Sequence, residues 1–358
     1  MKTASLLILC LSVLGATGAG CGQSHREDLV FERGLQMLAG GSPRSAVPVF
    51  SQVISSVPDG PEPHALLALA YALDLQPDRA VRHAEAARTR RAAKEPPGWE
   101  TVALGLVAMC RRSYGEAVDH LQKVVREAPP ESGIRRAAAQ WLVLARLLKD
   151  DRQAGLDCLN TAFLGEGATS GDRPTSGDRP TSGDRPTSAE RTTALLWSAL
   201  VHGRYGETQE AAKALSDVAG HVSGARERTA PPSGGAADEA IGALARGDLG
   251  AAEEKFKVLE SRPESCNASV WLALIAAAQG KWDRTCEGLK RASEEATPRS
   301  RGLAHSLLAV VCALDGRPQE MIHHTLAGQR LLRQNRFLPG GPTEAKPDSV
   351  WLSDRLNH

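Results

Sequence analysis

This sequence has few aromatic residues and almost no net charge. Phe, Tyr and Trp make up 4% of its 358 residues, while Ala, Leu and Arg are abundant, a composition that suits closely packed helices and fits a β-sandwich poorly. No Asn-Gly or Asp-Gly hairpin turn lies between alternating apolar runs, so the local signals for paired strands are missing too. The chain is therefore expected to be all-α.

The charges nearly cancel, since 43 Lys and Arg residues face 42 Asp and Glu residues. No global field therefore favours nucleic acid, an anionic lipid surface or an acidic substrate. An apolar content of 42% is enough to build a core. The motifs of enzymes are also missing: no phosphate-binding glycine loop, no nucleophile elbow and no His-Glu-x-x-His helix occurs. We expect no enzyme, no cofactor, no small-molecule substrate and no nucleic-acid partner.

Metal-site patterns are equally sparse. The mature cysteines beyond Cys21 are odd in number and none forms a Cys-x-x-Cys pair, which excludes the usual zinc spacing and a full disulfide framework. His323 and His324 are adjacent, so on a helix they diverge by about 100°. The sequence therefore predicts no metal site.

The N-terminus has the pattern of a targeting signal. Lys2 precedes the apolar run from Leu6 to Leu14, and small residues then lead to Cys21. That run is too short for a membrane span, which needs about 20 residues, and predicts a signal peptide over 1–20. A cysteine after small residues resembles the lipobox of bacterial lipoproteins, which implies lipidation of Cys21 and a tether over 21–28. Gly18 departs from that pattern, where Leu is usual. The alternatives are plain secretion with a free Cys21 and a segment that is not cleaved.

Short motifs recur along the rest of the chain. "SPRSA" (42–46), "QPDRA" (76–80), "SYGEA" (113–117) and "DDRQA" (150–154) each end in Ala, and glycines mark four similar turns further on. A glycine suits the end of a helix, and a proline suits the first turn of the next. Apolar residues then follow at helical spacing. The positions that carry this plan are Gly34, Gly41, Ala46, Phe50, Ala80, Tyr114, Ala117, Ala154, Gly203, Gly247, Ala252, Phe256, Gly280 and Gly316.

This plan resembles the tetratricopeptide repeat, a two-helix unit of about 34 residues that stacks into a superhelix. Eight units are expected, of which the fifth and eighth match least, with Thr208 and Met321 where Ala is usual; the fourth is expected to lack about three residues at its turn. A single unit cannot bury its apolar face, so neighbours are expected to share one core. The resemblance implies an α-helical-repeat solenoid.

One tract breaks the pattern. "TSGDRPTSGDRPTSGDRPTS" (169–188) repeats a hexapeptide with no apolar face, and cannot offset the entropy of ordering. It predicts a disordered linker over 165–188, which divides the chain into an array over 29–164, a second array over 189–336 and a tail over 337–358. A short recognition motif is the alternative reading of the tract.

In the tetratricopeptide family the first helix of each unit lines a groove that binds partner proteins or peptides. The resemblance places Phe31, Leu35, Leu69, Val102, Leu106 and Val310 there. These residues are apolar, which favours an amphipathic helix or an extended apolar segment. Three predictions remain open for the tail, which contains Trp351: it caps the groove, it binds a partner, or it is a disordered end. We expect a protein-binding scaffold tethered in a bacterial cell envelope, facing the periplasm or the exterior. The alternatives are a secreted, untethered repeat protein and an enzyme or regulator on a helical-repeat body.

Overall fold

The structure is a computed structural model and describes residues 25–92, 95–129, 132–164, 188–227, 235–260, 267–295 and 298–334. These residues form sixteen α-helices, one π-helical turn (Asn160–Leu164) and no strand. The expected all-α fold is confirmed. The helices are α1 His25–Ala39, α2 Pro43–Ser56, α3 Pro61–Leu73, α4 Pro77–Arg90, α5 Trp99–Cys110, α6 Tyr114–Glu127, α7 Gly133–Leu148, α8 Arg152–Leu159, α9 Ser188–Arg204, α10 Thr208–Glu227, α11 Ala236–Ala245, α12 Leu249–Glu260, α13 Ala268–Ala278, α14 Trp282–Glu295, α15 Pro298–Leu314 and α16 Pro318–Gln334.

The helices form eight pairs, and each pair is joined by the same tight turn. A residue with positive φ follows the first helix, one further residue follows it, and the second helix then begins. The N–H of that further residue donates to the first helix, as Ser42 does to the Met37 carbonyl at 2.9 Å. This is the Schellman arrangement, which satisfies carbonyls that a helix end leaves free. In these eight turns the residues with positive φ are, in chain order, Gly41, Leu75, Arg112, Asp150, Gly206, Gly247, Gly280 and Gly316.

The second helices share a buried position at their fourth residue, where the two helices of a pair approach closely. Five units place Ala there, one Gly, one Thr and one Met, and all eight side chains or glycines are buried. A small residue lets the helix axes come close, because packed interiors leave few voids. The series is Ala46, Ala80, Ala117, Gly155, Ala211, Ala252, Thr285 and Met321.

This register corrects the sequence-based assignments in units four and five. Gly203 lies inside α9 and is not the turn glycine, because the positive φ belongs to Gly206 three residues later. Unit five therefore has Ala211 in the small-residue position, and Thr208 begins α10. In unit four Ala154 is half-buried and Gly155 is the buried residue. The turn of unit four has the same length as the turns of the other seven units, so the expected loss of about three residues there is wrong.

Units one to four stack in sequence. Each helix from α1 to α8 contacts the helices before and after it, and α3 also contacts α5 across the stack. The Gly34 position is one close approach in this stack: a Cβ there would lie 2.7 Å from the Phe50 ring. α1 begins at His25, inside the segment predicted as a tether, so the helical array starts four residues earlier than expected.

Stacking continues across the repeated hexapeptide. α9 contacts α8 and the π-helical turn. Arg136 on α7 lies 3.3 Å from Glu190, and Arg152 on α8 lies 2.6 Å from Glu207. One apolar core runs from Leu35 in α1 to Ile322 in α16, and we call it the main core. The described helices of the two predicted arrays therefore share the main core. The hexapeptide tract itself lies outside the described residues.

Unit six does not lie between units five and seven in the way that the earlier units lie between their neighbours. α9 and α10 both contact α13 of unit seven directly. The displaced pair α11–α12 builds a second apolar cluster, which we call the side core: Ala219, Ala240, Ala243, Leu244, Ala252, Phe256, Leu259, Ala268 and Ile275.

The last pair folds back on the first half. α15 contacts α7 and α9, and α16 contacts α5. Two side chains of α16 also reach the turns of early units: Gln319 donates to the Cys110 carbonyl at 3.3 Å, and Arg330 donates to the Gly41 carbonyl at 3.0 Å. The array thus closes on itself, since its eighth unit meets its first and third.

Four sequence-based assignments lie outside the described residues: the signal peptide over 1–20, lipidation of Cys21, the tail over 337–358, and the linker over 165–188 apart from Ser188, which begins α9. Among the helices that are described, none combines the length and the apolar character that crossing a bilayer requires.

Candidate functional site

First helices of four consecutive units form an aromatic surface on the inside of the array. Leu69 of α3, Trp99 of α5, Trp141 of α7 and Trp197 of α9 line one shared cavity. We call these four residues the inner surface. All four lie on first helices, the helices to which the repeat resemblance assigns a partner groove.

Residues of the last unit cover the inner surface. Ser306 and Ala309 of α15 and Thr325 and Gln329 of α16 line the opposite side of the same cavity. The remaining space measures about 20 Å³, which is room for about one or two water molecules, since one water needs about 10–15 Å³. The inner surface is thus occupied by a helix pair of the chain itself.

The six predicted groove residues separate into two groups. Leu69 lines the cavity beneath α15 and α16. Val102, Leu106 and Val310 are fully buried in the main core, with exposed fractions of 0%. Leu35 is buried as well, and Phe31 packs edge-on against Phe50 with ring centroids 5.9 Å apart. All six therefore pack between helices in this structure, and Leu69 also lines the cavity.

None of the three inner-surface tryptophans was among the predicted groove residues. Trp99 and Trp197 lie on the first helices of units three and five. Tryptophan is rare in this chain, which contains six. A large ring on a first helix of an aromatic-poor repeat protein is the signal that marks them. Amphipathic rings of this kind supply much of the contact area at protein interfaces.

A buried ion pair fixes the start of α5 and with it Trp99. Two guanidinium nitrogens of Arg91 donate to the Glu100 carboxylate at 2.6 and 2.7 Å. The same carboxylate accepts the Gly98 N–H at 3.0 Å, and Glu100 is 3% exposed. Bidentate pairs of this type are strong and directional. Trp99 therefore enters the inner surface from a rigid helix start.

The polar groups at the covered surface are unevenly satisfied. Thr325 and Ser306 donate their hydroxyl protons to carbonyls of their own helices, at 2.8 and 2.9 Å. In contrast, Trp197 Nε1 and Gln329 Oε1 are buried and have no hydrogen-bond partner among the described residues. A buried polar atom without a partner costs about 1–3 kcal/mol. The contact between α16 and the inner surface is thus well packed but imperfect in its hydrogen bonds.

The buried thiols are poor nucleophiles. Burial raises the pKa of Cys110 and of Cys158 to about 11, so both are protonated at neutral pH and resist oxidation and alkylation. Cys110, Cys158, Cys286 and Cys312 are all free thiols. All four lie in helices, where Cys312 is buried and the other three are half-buried.

The histidines form pairs between helices. His323 and His324 stand edge to face, 5.5 Å apart, and His324 pairs instead with His305 of α15, Nδ1 to Nδ1 at 2.8 Å. Unit two repeats this pair with His64 and His83 at 3.2 Å. Both pairs occupy the same positions relative to their turns, eleven residues before and eight after the residue with positive φ.

The comparisons with known proteins concern the fold. No family model matches the sequence, and no curated protein matches it. Among solved structures, the chain is similar to a tetratricopeptide repeat protein from Parabacteroides merdae ATCC 43184, at 11% identity and a TM-score of 0.39. The match covers 82% of this chain and 99% of the other. The repeat plan itself rests on the eight helix pairs and their common turn among the described residues.

Proposed function

We propose that the protein is a lipid-tethered scaffold that holds other proteins in a bacterial cell envelope. Helical-repeat bodies bury little of their inner face within a unit and present it to partners. The tether rests on the apolar run before Cys21 and on the small residues beside it. Lipid chains at that cysteine would hold the body at a membrane, since each buried methylene contributes about 0.8 kcal/mol.

The partner segment that fits best is an amphipathic helix. The observation that carries this choice is that the inner surface is already covered by helices: α15 and α16 lie over Leu69, Trp99, Trp141 and Trp197. A helix in an apolar groove is a common mode of peptide recognition. The partner helix takes the place of α16 over the inner surface.

The unpaired polar atoms favour such an exchange. While α16 is in place, Trp197 Nε1 and Gln329 Oε1 have no hydrogen-bond partner among the residues that the structure describes. A partner helix that offers an acceptor to Trp197 would recover one of these bonds, and movement of α16 would return Gln329 to water. Part of the cost of displacing α16 is offset in this way.

The tether has its own test, which is palmitate labelling of growing cells. The wild type should be labelled, and the Cys21→Ser variant should not. Label that persists in Cys21→Ser, or that never appears in the wild type, rejects the tether and favours the secreted form.

The scaffold is tested by crosslinking capture from an envelope extract. Three forms of the full chain are compared: wild type, Trp99→Ala at the inner surface, and Val258→Ala as the control, since Val258 is 55% exposed on α12. A specific partner should be captured by the wild type and by Val258→Ala, and at least about tenfold less by Trp99→Ala, as for a binding hot spot of about 1.4 kcal/mol or more. Circular dichroism checks that each variant is folded.

A second pair of variants tests the exchange with α16. Gln319→Ala and Arg330→Ala together remove the two bonds that fix α16 to the turns of units three and one. Capture of the same partner should rise in this double variant. Equal capture by all forms, or no specific partner for any of them, contradicts binding at the inner surface.

A further inference from the structure

Three side chains of unit eight bring metal-ligating atoms together. The Sγ of Cys312, a carboxylate oxygen of Glu320 and a ring nitrogen of His324 all lie within 4.8 Å of one another. Cys312 is on α15, three residues from the start of the turn, while Glu320 and His324 are on α16. Residues four apart on a helix share one face, so both α16 ligands point toward the same side of the hairpin.

The turn holds these ligands in register. Gly316 takes a φ of +70°, and the Arg317 N–H donates to the Cys312 carbonyl at 2.8 Å. This bond fixes the end of α15 against the start of α16. Ligands on rigid helices beside a fixed turn are held more precisely than ligands on loops.

A second histidine stands behind the first. Nδ1 of His324 is 2.8 Å from Nδ1 of His305, so Nε2 is the ring nitrogen left for a ligand role. Metal-bound histidines almost always share their other ring nitrogen with a hydrogen-bonding partner, which sets the tautomer and the ring orientation. His305 supplies that support.

Unit two shows that the set does not follow from the repeat geometry. It carries the same histidine pair, His64 and His83, at the same repeat positions. Where unit eight has Cys312 and Glu320, however, unit two has Tyr71 and Arg79, and the Arg79 guanidinium lies over the Tyr71 ring at 5.6 Å. Two positions that hold a ring and a cation in unit two hold a thiol and a carboxylate in unit eight.

The surrounding charges are balanced. Arg317 donates to one oxygen of Glu320 at 2.6 Å and to Asp315 at 3.0 Å, which leaves the second Glu320 oxygen for a ligand. Lys290 is close enough to act electrostatically on Cys312 and on His324. Two cations and two anions thus surround the thiol and the ring, and loss of the thiol proton to a bound metal would add one negative charge.

We propose that Cys312, Glu320 and His324 form a binding site for a divalent d-block cation of the zinc type, which staples α15 to α16. A thiolate, an imidazole and a carboxylate are ligands of Zn²⁺, whereas Mg²⁺ and Ca²⁺ take oxygen ligands. Ligand atoms around a tetrahedral zinc are about 3.5 Å apart for metal–ligand lengths of about 2.0–2.3 Å. Side-chain rotations that move the ligand atoms by about 1 Å bring them from their present separation to this spacing. Glu320 is exposed and gives the ion a path from solvent.

The test uses the full chain after chelation, titrated with Zn²⁺ and then with Co²⁺ as an optical probe. One metal should bind per site, with a thiolate-to-cobalt band in the near ultraviolet and a higher unfolding temperature, because an ion that binds only the folded chain stabilises it. Cys312→Ser should lose the band, and His324→Gln should weaken binding at least about tenfold. The matched controls are Cys286→Ser, a half-buried thiol on α14, and His83→Gln in unit two.

Two results would overturn the site. One is a wild type that shows no saturable Zn²⁺ binding. The other is a cobalt band that survives Cys312→Ser, or that Cys286→Ser removes equally. Should Cys312→Ser fail to fold, Glu320→Gln at the exposed ligand decides: it must weaken Co²⁺ binding while His83→Gln does not. None of these results depends on a protein partner, so the site fails or stands independently of the scaffold.

Discussion

The first four units and the last four are built from the same hairpin but stack differently. In both halves each helix contacts the next, and in units one to four all the apolar faces join one core. In units five to eight, α9 passes over unit six to contact α13, and α11–α12 build the side core. The turn, the small fourth residue and the buried ring recur in both halves. These local features determine the hairpin, and contacts between hairpins determine how the hairpins are ordered.

The matched rings Phe50 and Phe256 give the largest expected effect. Both are buried in the second helix of a unit, and each meets one aromatic neighbour at 5.9 Å, Phe31 or Trp271. Phe→Ala in a core costs about 3–5 kcal/mol. For Phe50→Ala we expect this loss in the global unfolding free energy, because Phe50 lies in the main core. For Phe256→Ala we expect a mainly local loss, confined to unit six.

Hydrogen exchange separates the two outcomes. Phe256→Ala should speed exchange in α11 and α12 and leave α3 to α7 protected, whereas Phe50→Ala should lower protection throughout the main core. Equal losses of global stability in the two variants would contradict a separate side core.

The second effect tests the contact that takes α13 past unit six. A Cβ at Gly203 would lie 2.5 Å from the Ala277 carbonyl oxygen of α13. Gly203→Ala should therefore cost about 1–3 kcal/mol, as overpacking does. Gly220, in α10, meets nothing within 4 Å, and Gly220→Ala should stabilise by up to about 1 kcal/mol through helix propensity. Chemical denaturation of both variants measures the difference, and a destabilised Gly220→Ala together with a neutral Gly203→Ala would refute this account of α9 and α13.

Sequence reasoning recovers the hairpins because their signals are local. Gly41 followed by Pro43 specifies a turn and a helix start within three residues. The register fails at Gly203 because a second glycine, Gly206, follows three residues later and the sequence carries no local preference between them. The order of stacking could not be predicted, since it depends on contacts such as that between Gly203 and Ala277, more than seventy residues apart.

The candidate site was partly predictable for the same reason. The inner face of the first helices follows from the repeat, which placed Leu69 on the lined surface. Its cover by α15 and α16 depends on the closure of the whole array, and no local signal encodes that. The cluster at Cys312 was hidden as well, because its ligands come from two helices and have none of the spacings that mark zinc sites in sequence.

The smallest expected effect is a pH dependence that unit two should carry. Burial lowers the pKa of His83 below its ordinary 6.5, and the nearby His64 lowers it further; burial likewise lowers the pKa of His64, which also lies 3.3 Å from the Pro58 carbonyl. Below pH 6.5 the unfolded chain therefore takes up protons at these positions more readily than the folded chain does. The stabilising contribution is fully present above pH 6.5 and is lost as the pH falls from there toward the depressed folded values.

Urea denaturation of the wild type between pH 7.5 and pH 5 should accordingly show a falling midpoint. The falling part of the curve should be shallower for His83→Gln, which removes one of the two titrating rings and the repulsion between them. His221→Gln, at an exposed histidine of α10, is the control and should follow the wild-type slope. A His83→Gln curve parallel to the wild type would show that the acid sensitivity arises elsewhere in the chain.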